Sequence, residues 1–445
     1  MLKRKITQKM IEWKRSLTIK KKALIIKGLR QVGKTTSVLD FAKNEYENVA
    51  YINFTFNKSL KDIFDSDLNV DEIIRNLTLR LKDITFIPYK TVIIFDELQE
   101  CPGARTAIKL FMLDGRFDII ATGSLLGLRG YNKGKSYEIP VGFEEIIEMY
   151  PLDFEEYLWA RGVKEEVIDY IKDCFNKKTK VDEFINNELL NIFKEYICVG
   201  GMPDVVDTFL KTNDFNEMEK IKRSLLNSFQ DDFGKHLEDS GDTLVNNQEL
   251  NKIMTVYRSI PNQLAKENKK FMFSQVKEKG SNREFGDAIN WLIEYGLVSK
   301  CYNLKSLELP LEGNKIEDCF KLYFNDTGLF LSLLDLNTYK DIIDGTLKVY
   351  KGAIYENVIA DIFHKLGKKL YYFNKTFEID FITKFKDEVT AIEVKSTNGN
   401  AKALKELITN PKYNIKSNFK LIYGNVGINP SGIVTIPLYM AFLIN

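Results

Sequence analysis

The chain has 445 residues, 44% hydrophobic and 28% charged, and its 64 lysines and arginines nearly balance 62 aspartates and glutamates. This is the composition of a globular protein of two to four domains, not of a disordered or fibrous chain, and a net charge of +2 argues neither for nor against nucleic acid. Five scattered cysteines without a CxxC pair, and two histidines only, His236 and His364, argue against a zinc site and fit a reducing compartment.

The first twenty-odd residues are basic (Lys3, Arg4, Lys5, Lys9, Lys14, Arg15, Lys20, Lys21, Lys22) and read as a solvated helix face. The apolar run Ala23–Ile26 predicts a short buried strand, followed at once by GLRQVGKTT and the helix-like TTSVLDFAK. Gly28, Gly33, Lys34 and Thr35 fit the phosphate-binding loop pattern of Gly, four residues, Gly, Lys, Thr. The segment Gly28, Leu29, Arg30, Gln31, Val32, Gly33, Lys34, Thr35 and Thr36 would wrap phosphate oxygens with backbone N–H groups at a helix N-terminus. Lys34 reaches for the β- and γ-phosphates, and the Thr35 hydroxyl suits Mg²⁺. A second strand is expected at 48–54 and a third at Thr91–Phe95, with Asp96 and Glu97 at its C-terminal end, where ligands of open α/β sheets bind. Asp96 would hold Mg²⁺, and Glu97 would orient the attacking water as a catalytic carboxylate. The fourth strand, FDIIATGS, ends in Thr122 and Ser124. Either hydroxyl serves the γ-phosphate and its attacking water, or serves a turn alone. Strands alternating with helices up to Tyr150 imply a parallel sheet.

From Pro151 to about residue 240 the pattern is helical, broken at Gly200, Gly201, Met202 and Pro203 by a tight turn. Residues 241–335 read as a winged-helix-like domain. The helices are NQELNKIMTVYRSI, a short one after Pro261, and REFGDAINWLIEYG with Phe285, Ala288, Trp291, Leu292 and Tyr295 on one face. LVSKCYNL and FKLYFND form the wing. The third helix offers Asn282, Arg283, Asp287 and Asn290 to a DNA groove, or the same fold serves domain packing or a protein partner. Residues 345–445 follow the order helix, three strands, helix, strand. Glu356 lies on the first helix, Asp380 on the strand EIDFITKF, and Glu393 and Lys395 share a face of EVTAIEVKS. Carboxylates from adjacent strands suit Mg²⁺ or Mn²⁺, and a neighbouring lysine can position or deprotonate water for attack on a phosphodiester. The longest apolar run, Ile433–Ile444, is short of a membrane span and holds Thr435 and Pro437. The expectation is a cytoplasmic protein without a membrane partner.

The motifs GLRQVGKTT, TVIIFDELQE, ATGSLLGL, IPVGFEEIIEMYPLDFEEYL and YICVGGMPDVV resemble a bacterial and archaeal branch of the AAA+-type P-loop ATPases. RSIPNQLAKENKKF, GAIYENVIA, EIDFI and IEVKS resemble the C-terminal region that accompanies this ATPase, itself similar to the PD-(D/E)XK nuclease superfamily. The resemblance covers nearly the whole chain. It implies an α/β fold class: a P-loop ATPase core (1–150), a helical lid (151–240), the winged-helix-like domain (241–335) and a restriction-endonuclease-like domain (345–445). It implies ATP bound by Gly28–Thr36 with Lys34 in a catalytic position, magnesium at Thr35 and Asp96, and water activation at Glu97. From the nuclease superfamily it implies metal positions Glu356, Asp380 and Glu393 with Lys395 catalytic. Where relatives carry a basic residue this chain has Phe143, which leaves Arg105, Arg116 and Arg129 as candidates to reach a neighbouring subunit's γ-phosphate in a homo-oligomer. The function implied is an ATPase whose nucleotide state controls a DNA-binding, nuclease-like domain. The alternative is a switch that binds DNA or a partner protein and cuts nothing.

Overall fold

Strands buried on both faces must be apolar, and the central strands of the first sheet are built that way. β1 (Ala23–Gly28), β2 (Asn48–Asn53), β3 (Thr91–Asp96), β4 (Asp118–Ser124) and β5 (Glu144–Met149) form a five-stranded sheet in the order β2-β3-β4-β1-β5, every neighbouring pair parallel. The computed structural model describes all residues except 18–20, 66–68, 125–139, 239–242, 335–337, 348–349 and 396–398, with backbone alone for 234–238 and 243–246. All six residues of β3 are buried. One face packs as a cluster in which Phe54, Phe64 and Phe95 meet with ring centroids 5.6–5.7 Å apart. Gly103, in the helix Pro102–Asp114, lets that helix approach the Phe64 carbonyl, which a Cβ would meet at 2.3 Å. β5 falls outside the strands expected from the sequence. Its glutamates are matched at this sheet edge, Glu144 by Arg105 and Glu148 by Lys27.

The described residues divide into two compact units, Lys3–Tyr150 and Pro151–Asn445. The second unit begins with Phe154–Ala160, opened by a capping box between Asp153 and Glu156. It continues through Glu165–Lys177, Glu183–Val199, Pro203–Thr212, Phe215–Glu238 and Thr243–Leu264. The last of these runs through Pro261 instead of breaking there. Its missing N–H forgoes one bond to the preceding turn, and the helix ends three residues later, at Leu264. The helix Asn282–Tyr295 buries Phe285, Ala288, Ile289, Leu292 and Tyr295 and leaves Asn282, Arg283, Asp287 and Asn290 exposed.

β6 (Val298–Leu304), β7 (Lys315–Phe324), β8 (Leu370–Asn374), β9 (Glu378–Phe385), β10 (Glu388–Lys395), β11 (Ser417–Ile422), β12 (Gly427–Ile428) and β13 (Val434–Pro437) make one sheet, ordered β12-β13-β11-β10-β9-β8-β6-β7. The antiparallel pair β6–β7, expected to be a wing, continues this sheet. Cys301, Tyr302 and Asn303 of β6 run parallel to Leu370, Tyr371 and Tyr372 of β8. The helix Lys351–Lys365, β8, β9, β10, the helix Lys402–Thr409 and β11 follow the expected order. Lys351–Lys365 is buried nearly all round, and Ile433–Ile444 is buried core. Among the described residues no helix is long and apolar enough to cross a membrane.

Candidate functional site

The loop between β1 and the helix Lys34–Glu45 takes its shape from two residues in the left-handed region, Gln31 (φ 62°) and Gly33 (φ 91°). Gly28 has no room for a side chain, since a Cβ would lie 2.3 Å from the Met149 carbonyl oxygen. Arg4 pins the loop from outside: its guanidinium donates to the carbonyls of Val32 (2.9 Å) and Tyr150 (2.6 Å). Lys34 is buried and donates to the Gly28 and Leu29 carbonyls at 3.1 and 2.9 Å. Burial lowers its pKa to about 8, against the opposing charges of Glu97 and Asp96.

The end of β3 completes the site. Asp96 Oδ1 accepts the Thr35 hydroxyl at 3.0 Å and the Thr122 hydroxyl; Oδ2 accepts the Tyr51 hydroxyl at 2.6 Å and the Asn53 amide at 2.8 Å. Glu97 stands in the left-handed region (φ 56°), and its Oε2 accepts from Gln99 at 2.5 Å. Ser124 is buried beside the loop, in register with Gly28. Leu29 and Val32 are buried, Arg30 and Thr35 half-buried, Gln31 and Thr36 exposed. The chemistry of the donor set fits a nucleotide and magnesium: a curled loop without side-chain bulk, an ammonium group, and a hydroxyl held against a carboxylate. Of the arginine candidates, Arg105 makes a two-pronged pair with Glu144 at 3.0 Å on both contacts, and Arg116 is clamped by Asp71 and Asp114. Arg129 lies outside the described residues.

The C-terminal residues also come together. Asp380 and Glu393 each follow the last pair of the antiparallel β9–β10 register, Phe381 and Ile392. Glu356 is buried. Its Oε1 is paired with Lys269, and its Oε2 accepts from Tyr323 at 3.0 Å and lies 3.7 Å from Lys321. Lys321 also donates to Glu378 at 2.6 Å. Asp380 Oδ2 accepts the Val394 N–H at 2.8 Å. Glu393 accepts the Leu404 N–H at 3.2 Å and pairs with Lys395 at 2.6 Å. Burial and the Glu356 charge raise the pKa of Asp380. Burial works the same way on Glu356, but Lys321 and Lys269 outweigh it and lower its pKa. This set does not fit a divalent cation as it stands. Each carboxylate is already met by a lysine or an N–H, and among the described residues no group of three or more His, Cys, Asp or Glu is placed to hold a metal.

Tyr51, Asn53, Arg4, Lys269, Lys321 and Tyr323 escaped sequence reasoning. A signal existed for Lys321, a lone lysine inside the apolar strand FKLYF.

Sheet order, loop and strand-end carboxylate together define a P-loop ATPase domain. Residues 20–158 match the family model described as an AAA domain. Residues 190–340 and 351–439 match two described only as domains of unknown function, DUF8612 and DUF4143. Among solved structures the chain is similar to the Walker-type ATPase PABY2304 of Pyrococcus abyssi, at 14% identity and a TM-score of 0.42, over 75% of this chain and 96% of that one. No curated protein matches the sequence.

Proposed function

We propose that this protein is a Mg-ATP-binding ATPase whose nucleotide state controls a DNA-binding, nuclease-like C-terminal domain. The observation that carries the ATPase part is the Thr35 hydroxyl held 3.0 Å from Asp96 at the mouth of a glycine-shaped loop whose lysine is buried. Lys34 would exchange its two loop carbonyls for phosphate oxygens, and Thr35 and Asp96 would hold the magnesium ion. Bound there, magnesium neutralises charge on the phosphates. Glu97 takes the proton of the attacking water. The test is ATP turnover: Lys34→Ala loses nucleotide binding, whereas Glu97→Gln keeps binding and loses turnover by about 10²-fold or more. Equal turnover in Glu97→Gln and the parent would remove Glu97 from this role.

The nuclease-like reading of the second unit is supported by the order helix, β8, β9, β10, helix, β11 and by Asp380 and Glu393 lying on the paired strands β9 and β10. A second reading, a switch that binds DNA or a protein partner without cutting, is favoured by the neutralised carboxylates. Supercoiled, linear and single-stranded DNA incubated with Mg²⁺ or Mn²⁺, with and without ATP, separates the two. Cleavage lost in Lys395→Ala and altered in Lys34→Ala supports the nuclease, and intact DNA with intact ATP turnover supports the switch.

A further inference from the structure

Elements of the second unit leave a cavity of about 240 Å³ between them. The helix Glu183–Val199 contributes Lys194 and Ile197. The helix Lys351–Lys365 contributes Lys351, Ile354 and Tyr355, which spacings of three and four residues bring to one face. Tyr423 follows β11, and Asp341 and Ile342 come from the helix Thr338–Ile343. The chain after that helix folds back on it: the Leu347 N–H donates to the Asp341 carbonyl at 3.1 Å, and the Thr346 hydroxyl to the Asp341 carboxylate at 3.0 Å.

The polar groups of this cavity are left without protein partners. Tyr355 is 8% exposed and lines the cavity, and its hydroxyl has no hydrogen-bond partner among the described residues. Buried polar side chains are normally partnered, so a hydroxyl left open into a cavity points to a ligand that enters it. Burial pushes the Tyr355 pKa up to about 12, which keeps the hydroxyl protonated and able to donate. The Lys194 ammonium lies 4.8 Å from the centre of the Tyr423 ring. Neither Lys194 nor Lys351 pairs with a carboxylate among the described residues. The helix Lys351–Lys365 also begins here, with no side-chain cap and no acidic residue in its first turn, so its N–H groups and positive end remain for an anion.

Two ammonium groups, a phenol and a helix amino end are donors on several sides, which a tetrahedral phosphate dianion satisfies better than a flat carboxylate. Asp341 is an acceptor on the same wall and suits a hydroxyl or amine of the ligand's body. The volume lies below the range of about 300–1,000 Å³ that holds drug-sized molecules, which suits a metabolite and not a polymer. We propose that this cavity binds a small phosphate monoester, with its phosphate between Lys194, Lys351 and the Tyr355 hydroxyl and its body against Ile197, Ile342 and Ile354. The site belongs to the second unit, whereas the loop Gly28–Thr36 belongs to the first, so the ester is a ligand additional to the nucleotide.

The test is titration calorimetry of the full chain with AMP, ribose 5-phosphate, inorganic phosphate and succinate, with and without Mg²⁺ and a non-hydrolysable ATP analogue to occupy the loop. At least one of the two esters is expected to bind at about 100 μM or tighter whether or not the analogue is present. Lys351→Ala is expected to weaken that binding by about tenfold or more and Tyr355→Phe by about fivefold, while Lys351→Arg stays near the parent. Lys194→Ala serves if Lys351→Ala does not fold. Absence of ester binding below about 1 mM overturns the proposal. So does parental affinity in both the lysine variant and Tyr355→Phe, or binding that the ATP analogue displaces, which belongs to the loop. Succinate or inorganic phosphate binding as tightly as the esters reduces the cavity to a general anion site, and the assignment to a phosphate monoester falls.

Discussion

Asp96 spends both carboxylate oxygens on four donors from two strands, β2 and β4, and the first turn of the helix Lys34–Glu45, and this fixes the direction in which its charge points. Tyr51 is the donor most easily removed without disturbing packing, being half-buried at 2.6 Å from Oδ2. Tyr51→Phe is expected to slow ATP turnover by about tenfold, the worth of roughly one hydrogen bond to a charged group, with nucleotide affinity nearly unchanged. Steady-state kinetics beside equilibrium nucleotide binding checks this split. The lowered Lys34 pKa gives a second expectation. With a free-state value of about 8, the amine is increasingly neutral above that pH, whereas phosphate oxygens favour its charged form. Nucleotide binding should therefore take up a proton above pH 8, with uptake fading toward zero below pH 7. Calorimetry in two buffers of different ionisation heat measures it. Gly28–Thr36, Asp96 and Glu97 could be read from the sequence because loop, helix start and strand end are contiguous there. Tyr51, Asn53 and Arg4 could not, since only the sheet order brings β2 beside β3 and only folding brings residue 4 to Val32. Lys269 and Lys321 are partners of Glu356 for the same reason.

Between elements, the turn at Gly200 and Gly201 does more than change direction. A Cβ on Gly201 would lie 2.2 Å from the Leu152 carbonyl oxygen, and one on Gly328 2.3 Å from that of Val199. The Gly201 N–H also donates to the Asp326 carboxylate at 2.7 Å, which ties the turn to the segment after β7. Gly201→Ala and Gly328→Ala are each expected to destabilise the protein by about 1–3 kcal/mol, as overpacking does. Gly313→Ala, where nothing lies within 4 Å, should stay within about 0.5 kcal/mol. Urea unfolding of the three variants decides it. The parallel strands of the first sheet were legible because continuous apolar runs between helices have few other readings. β5 was not, because its glutamates are matched by Arg105 and Lys27, residues far away in sequence. The β6–β7 pair was legible as a hairpin but not as part of a larger sheet, since alternation along a strand says nothing about which strand lies next to it.

Across the whole chain, all five cysteines are free thiols. Cys101, Cys174, Cys198 and Cys301 are buried, and burial raises Cys101 to about 11 and Cys198 to about 12. A thiol reagent at neutral pH should therefore modify Cys319 first and the other four only after denaturation, which absorbance at graded denaturant would show. The parallel seam between β6 and β8 has a consequence for biosynthesis. When a ribosome has delivered the chain through Phe324, the hairpin β6–β7 can close, but the far side of β6 still presents unpaired backbone groups. Its partner, Leu370–Tyr372, emerges only seconds later at roughly 5–20 residues per second. During that interval the nascent chain carries a sticky strand edge. A message truncated between these two strands would leave it permanently exposed, so loss of the C-terminal quarter should yield aggregated polypeptide rather than a soluble ATPase fragment.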